Sequence, residues 1–408
     1  MARMMLTRRS LFSAAALSGL GALAGCSHAA APETGRAPGT VFDRAHAEAD
    51  ASGAEPPEGG ERLTLLAVGD VLLHPSVQES GLGEDGTRDY AHLFAHVADD
   101  VEAADLALVS QETILGGEAL GLSGYPSFNG PQEVGDAEVG AGFDVVLHAN
   151  NHALDRGLDG IAAELAYWRS AHPGMLVTGI ADSREAAGER PVIERAGHTV
   201  AVLNYATYMN GVPLPEPWCV RMMDAELVAS DVAAVRAAGA DLIVACPHWG
   251  DEYAAEPNAD QRGWAQTLAD AGADVIIGGH PHVLQPFEVL ASADGRTVPV
   301  FWSVGNFVSG QSRMDTMVGG MAQVSASFSD AGARVDECRL TALVTQRAKG
   351  EGFATRRLAD YTEELAAANG IRAFEGCEGF SRAWCVEFCS ERLGEDFDPV
   401  AGELVWRA

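Results

Sequence analysis

Three histidines stand where short apolar runs end. Leu242 to Ala245 leads through Cys246 and Pro247 to His248, and Val275 to Ile277 leads through two glycines to His280-Pro281-His282. Runs this short, bounded by Gly and Pro, read as central parallel strands covered on both faces. The carboxyl ends of such strands open on the crevice in which open α/β sheets bind ligands. Pro281 favours an extended backbone at His280. Extended residues two apart point the same way, which would turn both imidazoles toward one ion. One histidine in such a place reads as a hydrogen-bonded core residue, whereas three at neighbouring strand ends read as metal ligands.

The pattern recurs upstream. Arg62 to Val68 runs into Gly69-Asp70, with His74 four residues on; Asp105 to Val109 delivers Gln111 and Glu112; Phe143 to Leu147 delivers Asn150, Asn151 and His152. Carboxylate, amide and imidazole donors without a thiolate suit Mn, Fe or Zn at a reactive site rather than a structural zinc. Asp70, His74, Glu112, Asn151, His248, His280 and His282 are enough donors for two divalent ions. Two ions about 3.5 to 4 Å apart can activate a water and clamp a phosphoryl oxygen, which is the chemistry of phosphoester hydrolysis. Asp155, three residues after His152, shares its face if the chain has turned helical and could then orient the imidazole; the alternative is an ordinary carboxylate at a helix start.

The elements that must position these residues follow from the alternation of patterns. Helical segments are expected at 90–101, 158–170, 225–238 and 257–271, with further strands at 199–204 and 299–304. Segments 320–328 and 334–344 flank the turn-like Ser329-Asp330-Ala331-Gly332 as an antiparallel hairpin. Strand and helix in alternation predict βαβ units and a layered α/β domain. Beyond 348 the chain is more charged, with helices expected at 355–368 and 381–392.

Composition narrows the chemistry further. With 408 residues, 47% of them hydrophobic, the chain can bury a large core. Its net charge of −31 repels phosphate backbones, so nucleic acid is not an expected partner. Lys349 is the only lysine, which excludes P-loop and Schiff-base lysines in the α/β region. Residues 1–26 form an expected export signal: Arg8-Arg9 resembles a twin-arginine motif, Ser13 to Ala24 is an apolar stretch too short to span a bilayer, and Leu23-Ala24-Gly25-Cys26 resembles a lipobox with Cys26 as the lipidation site. Residues 27–60, rich in Ala, Pro, Gly and Glu, read as a flexible tether. The six other cysteines permit disulfides outside the cytoplasm, with Cys377, Cys385 and Cys389 the first candidates.

GDVLLH, SQET, ANNHALDRGLDG, PHWGDEY, GADVIIGGHPHVLQPFE and FWSVGNFV resemble, in order, the motifs of the CapA family of capsule (poly-γ-glutamate) synthesis proteins, related to calcineurin-like metallophosphoesterases. The resemblance covers roughly 62–310 and implies a four-layer α/β/β/α sandwich of the metallophosphoesterase type; the domain is expected over 61–347, and residues 348–408 read as a helical, Cys-containing extension. The resemblance also implies a dinuclear centre in which Asp70 binds the first ion, Glu112 bridges, Asn151 and His248 serve the second, and His280 and His282 complete both. His152 resembles the histidine that protonates a leaving group, with Asp155 behind it. Asn150, Glu252, Tyr253 and Asn306 match positions lining the cleft. Two features depart from the phosphoesterase pattern: Leu72 stands where a histidine is usual, leaving His74 as ligand or bystander, and Glu112 replaces an aspartate. Trp249 and Trp302 read as packing.

The expectation is an exported membrane lipoprotein facing outward, carrying two divalent ions. It would act on an anionic surface polymer or its phosphorylated precursor, alongside membrane synthase subunits. The alternative is a non-catalytic metal-binding scaffold that anchors polymer or assembles a synthase.

Overall fold

A computed structural model of the chain describes residues 62–330, 332–348 and 352–408. The expected signal with Cys26, the tether and Lys349 lie outside the described residues. Strand β1 (Arg62–Leu72) begins by alternating, with Arg62 and Thr64 exposed and Leu63 and Leu65 buried, then stays buried to its end. Such a run needs cover on both faces. It pairs in parallel with β2 (Leu106–Gln111), which pairs with β3 (Val145–Leu147) and that with β4 (Leu176–Thr178). Between these strands lie α1 (Pro75–Ser80), α2 (Ala91–Phe94), α3 (Ala98–Ala103), α4 (Glu133–Gly140) and α5 (Gly157–Ala171).

The chain then builds a second sheet from β5 (Val192–Arg195), β6 (His198–Ala206), β7 (Leu242–His248), β8 (Val275–Ile277), β9 (Phe287–Ala291) and β10 (Thr297–Phe301), ordered β5-β6-β7-β8-β10-β9. Helices α6 (Ala225–Ala237) and α7 (Ala259–Ala271) make its crossovers. Asn258 caps α7 through a capping box with Gln261, which fixes where the helix starts after the loop that leaves His248. Finally the chain returns to the first sheet. There β11 (Asn306–Ser309) lies beside β1, and β12 (Val318–Ser329) and β13 (Gly332–Ala348) form the expected hairpin. β14 (Gly352–Arg357) and β16 (Glu403–Arg407) pair with β13, and β15 (Phe397–Asp398) with β16.

Adjacent side chains on one strand decide the layers. Leu63, Leu65 and Leu106 of the larger sheet meet Val200, Leu242 and Val275 of the second in one buried cluster. Their neighbours Leu66, Val68 and Ala107 point the other way, onto Leu93, Phe94 and Val134 of the helices. On the far side Ala201, Ile243 and Ile276 pack under Val228, Val232 and Leu268 of α6 and α7. The result is a four-layer α/β/β/α sandwich. Burying each Leu or Val contributes about 1.5 to 3 kcal/mol, and a one-residue slip of β1 would exchange its two faces and forfeit both clusters.

Several expectations fail locally. The helix expected at 90–101 is two short ones, broken at 95–97, because Asp99 and Asp100 start a new first turn where helix dipoles favour acids. The helix expected from 355 starts only at α8 (Glu363–Ala368). Thr355 lies in β14, whose Phe353 and Thr355 are buried with period two, and the Thr355 hydroxyl donates to the Phe307 carbonyl at 2.6 Å. The segment expected as a helical extension, 348–408, therefore also contributes three strands to the larger sheet, and α9 (Arg382–Leu393) packs Cys385, Phe388 and Cys389 into its core.

The six described cysteines are free thiols rather than disulfide partners. Cys385 and Cys389 sit one turn apart on α9, where their Cα–Cβ bonds run side by side rather than toward each other. Cys377 instead donates to the Ser312 carbonyl. Burial pushes the Cys389 thiol up to about 12, so it stays protonated and packs as a small apolar group. Among the described residues no helix is long and apolar enough to cross a membrane.

Candidate metal centre

Asp70 sits where β1 leaves the sheet. Gly69 makes this possible: a Cβ there would lie 1.9 Å from the Gly305 carbonyl oxygen, and that oxygen accepts from the Asp70 amide. The fully buried Asp70 carboxylate accepts from the Ser110 hydroxyl at 2.8 Å and from the His280 amide at 3.2 Å. His282 Nδ1 stands 3.5 Å from the same Oδ2 that takes the His280 amide. Glu112, one residue past β2, is also fully buried, and neither carboxylate oxygen has a hydrogen-bond donor. Its Oε1 lies 3.6 Å from His248 Nε2 and its Oε2 3.6 Å from His282 Nδ1.

The two histidines at β8 arrive differently from expectation. His280 has φ 96° and His282 φ 60°, so both lie in the left-handed region and not in an extended segment. Such backbone costs about 1 to 3 kcal/mol per residue and persists where surroundings hold it. Here the bond from the His280 amide to Asp70 and that from the Tyr253 amide to the Pro281 carbonyl hold it. The turn still aims both rings inward, and donor atoms of Glu112, His280 and His282 lie within 4.8 Å of one another.

His248 ends β7, with its Nε2 2.8 Å from Asn151 Oδ1 and 3.2 Å from His280 Nδ1. An orphaned buried carboxylate ringed by imidazole and amide donors fits divalent cations, because an ion would supply the positive partners its oxygens lack. Asp70, Glu112, Asn151, His248, His280 and His282 would hold them.

The electrostatics agree. Burial opposes charge on Glu112, but His282 and then His248 outweigh it and hold the carboxyl far below the ordinary range. Burial likewise opposes charge on His282, and Glu112 with Asp70 outweighs it, pushing its pKa up to about 9. Burial and the neighbouring His248 keep His280 well below its usual value, so its ring is neutral and free to coordinate.

His152 lies in the turn between β3 and α5. Its Nδ1 is 2.7 Å from Asp155 Oδ2, both side chains are buried, and Phe128 packs edge-on at 4.8 Å. Burial alone would lower its pKa; the bond to Asp155 and the charge of Glu112 raise it above 6.5 instead. The side chain of Asn150 is spent on the loop itself, its Nδ2 donating to the Gln111 carbonyl and its Oδ1 accepting from the His152 amide. His74 stays half-buried at the start of α1, its Nδ1 accepting from the Gly310 amide at 3.2 Å and its ring against Phe128 at 5.2 Å. Burial drives its pKa down to about 4.

Asn306 turns its Oδ1 to His282 Nδ1 at 3.0 Å and gives its Nδ2 to Gln311, Ser309 and the Thr316 carbonyl, so it orients a ligand. Tyr253 has its ring 6.1 Å from that of His282, under the Arg313 guanidinium, and Glu252 is exposed at the rim. Trp249 and Trp302 are core, joined by an indole-to-carbonyl bond of 2.9 Å.

Sequence reasoning missed Tyr208 and Asn210. Tyr208 Oη contacts His280 Nε2, and Asn210 contacts both Asn151 and His152. The signal was available, since both follow directly on the end of β6, the position that revealed the other donors.

Residues 64–311, more than half of the chain, match the family model of the bacterial capsule synthesis protein PGA_cap. The PGA biosynthesis protein CapA of Bacillus subtilis (strain 168) is 34% identical over 174 residues, covering 41% of this chain and 43% of that protein. The capsule biosynthesis protein CapA of Bacillus anthracis is 28% identical over 260 residues, covering 62% and 61%. The chain thus spans less than two thirds of the length of these relatives. Among solved structures, the calcineurin-like phosphoesterase YfkN from Bacillus subtilis aligns at a TM-score of 0.41 and 15% identity, over 69% of this chain and 90% of that one. The 5'-nucleotidase precursor from Thermus thermophilus aligns at 0.44 and 16%, over 69% and 54%. By its matched motifs, the chain belongs to the PGA_cap family of bacterial capsule synthesis proteins.

Proposed function

We propose that this protein is a metal-dependent hydrolase of a phosphoester or acyl phosphate that serves the making, export or attachment of an anionic surface polymer. One observation carries the reading: the buried Glu112 carboxylate without a donor, facing three imidazoles, lies beside a separate buried His152–Asp155 pair. Ligands alone would suit a binding protein. A histidine braced by a carboxylate next to them is the arrangement of a general acid.

Two divalent ions, when bound, would polarise the phosphoryl group and lower the pKa of an attacking water. The remaining work falls to side chains. Ser110 holds Asp70, Asn306 turns His282, and Asp155 keeps the His152 proton on Nδ1, so that Nε2 faces the substrate and delivers a proton to the departing oxygen after taking one from solvent. The buried setting excludes water from these contacts and strengthens them.

Export through the 1–26 signal and anchoring through Cys26 are part of the proposal, as are membrane synthase subunits as partners. The test is to load the purified full chain with Mn²⁺ or Zn²⁺, count the ions, and measure hydrolysis of a panel of alkyl and aryl phosphates. Two ions per chain and turnover lost in Glu112→Gln support the enzyme. Bound metal without cleavage of any ester, with polymer production still dependent on Glu112, would leave the scaffold.

A further inference from the structure

Where β6 ends, Thr207 docks on the end of β7, its amide donating to the His248 carbonyl at 3.1 Å. Met209 is buried, and Asn210 and Gly211 follow with φ of 48° and 74°, closed by the Val212 amide on the Met209 carbonyl at 2.7 Å. Asn tolerates this left-handed conformation better than most residues. The turn is therefore held to the site through Thr207 and closed on itself at Val212, and Asn210 at its tip is exposed.

Both ends of the Asn210 amide face residues already assigned. Its Oδ1 accepts from Asn151 Nδ2 at 3.0 Å. An amide is asymmetric: with Nδ2 satisfied there, Asn151 must present Oδ1, its only possible metal donor, toward His248 and the cluster. At the other end, Asn210 Nδ2 is 3.5 Å from His152 Nε2. His152 Nδ1 is committed to Asp155, so Nε2 is the ring nitrogen left for substrate. Any oxygen that takes a proton from Nε2 comes within reach of Asn210 Nδ2.

We infer that Asn210 is a two-ended residue of this site, whose Oδ1 positions Asn151 for metal and whose Nδ2 donates a hydrogen bond to the substrate oxygen that His152 serves. The second half rests on the phosphoester reading; the first needs only the metal.

Two variants separate the halves. Asn210→Ala removes both contacts, while Asn210→Asp keeps an acceptor for Asn151 and loses the donor. Each full-length protein is titrated with Co²⁺, followed by visible absorption, and then assayed on an alkyl phosphate. Asn210→Ala should bind Co²⁺ about 10- to 100-fold more weakly with an altered spectrum, the size expected for loss of a ligand-orienting partner. Asn210→Asp should keep the wild-type isotherm and spectrum yet lose about a hundredfold in kcat, the size of one lost transition-state donor. A wild-type isotherm and spectrum in Asn210→Ala overturns the positioning role, and wild-type kcat in Asn210→Asp overturns the donor role. Wild-type protein that binds Co²⁺ but cleaves no phosphoester overturns the donor role together with the phosphoester reading, and the Co²⁺ titrations of the two variants still decide the positioning role.

Discussion

Asp155→Asn tests the acid in isolation from the metal. Asp155 Oδ2 meets His152 Nδ1 at 2.7 Å and also accepts from the Phe128 amide at 2.6 Å, and all of this is nearly dry. Both donors share that one oxygen, so an asparagine can keep them only as a neutral acceptor that no longer favours the imidazolium, and if its amide turns over it sets an N–H against His152 Nδ1 and enforces the wrong tautomer. A buried hydrogen bond to a charged group contributes about 1.5 to 3 kcal/mol, which at about 1.36 kcal/mol per decade is a loss of about tenfold to a hundredfold in turnover. The loss should fall on alkyl phosphates, whose leaving oxygen needs a proton, and largely spare aryl phosphates, whose leaving group does not. The pH dependence has a fixed sign. His152 must be protonated to act, so activity is present below its pKa and is lost as pH rises through it. Asp155 raises that pKa, so Asp155→Asn should move the loss to lower pH. Rates on both ester classes across the pH range, with metal content determined in parallel, check all three statements. Equal losses on alkyl and aryl esters, or an unmoved basic limb, would refute the general-acid assignment.

Substituting His280 or His282 with Ala should strip bound metal, while His74→Ala, whose ring nitrogen is taken by the Gly310 amide, should leave most of it; elemental analysis distinguishes them. Glu138 is wholly buried on α4 with neither oxygen partnered, and burial, aided by the nearby Glu164, raises its pKa well above 4.5. With the folded value above the unfolded one, its penalty is absent below about pH 4.5 and grows by about 1.4 kcal/mol per pH unit above it until the pH reaches the folded value. Glu138→Gln should therefore gain stability over wild type as pH rises, which urea unfolding at several pH values would show; a pH-independent difference contradicts this. Cys26→Ser should release the protein from the membrane fraction, and replacing Arg8 and Arg9 together should block its export.

Much of the fold could be read because strand ends carried the signal. Asp70, Glu112, Asn151, His248, His280 and His282 each follow an apolar run, and the parallel topology brings those run-ends to one edge. The turn at His280 and His282 was not legible, since an X-Pro pair favours extended backbone locally and only the Asp70 and Tyr253 contacts, distant in sequence, impose the left-handed conformation. β14 was hidden by its charged end: adjacent Arg356 and Arg357 suit the start of a helix as well as a strand, while the period-two burial of Phe353 and Thr355 exists only once β14 is paired with β13. Tyr208 and Asn210 were missed because neither is a strong ligand type, and their role depends on which amide and which ring they meet.

The donors come equally from the strand ends of two sheets, and that ties the geometry of the site to the packing of those sheets. Asp70, Glu112 and Asn151 lie at or just past the ends of β1, β2 and β3 of the larger sheet; His248, His280 and His282 lie at or just past the ends of β7 and β8 of the second. One buried amide joins them from the middle of the sandwich. Asn204 on β6 accepts from the Ala149 amide at 2.5 Å and donates to the Cys246 carbonyl at 2.7 Å, linking the backbone two residues before Asn151 to that two residues before His248. The Asp70 amide on Gly305 makes a second link, since Gly305 leads into β11 from the second sheet. The spacing between the carboxylates and the imidazoles is thus set by how the two sheets pack, through Leu63 and Leu65 against Val200 and Leu242. Ligand loops hung on one sheet could drift apart by an ångström at little cost, whereas here such a drift would have to break the inner core as well.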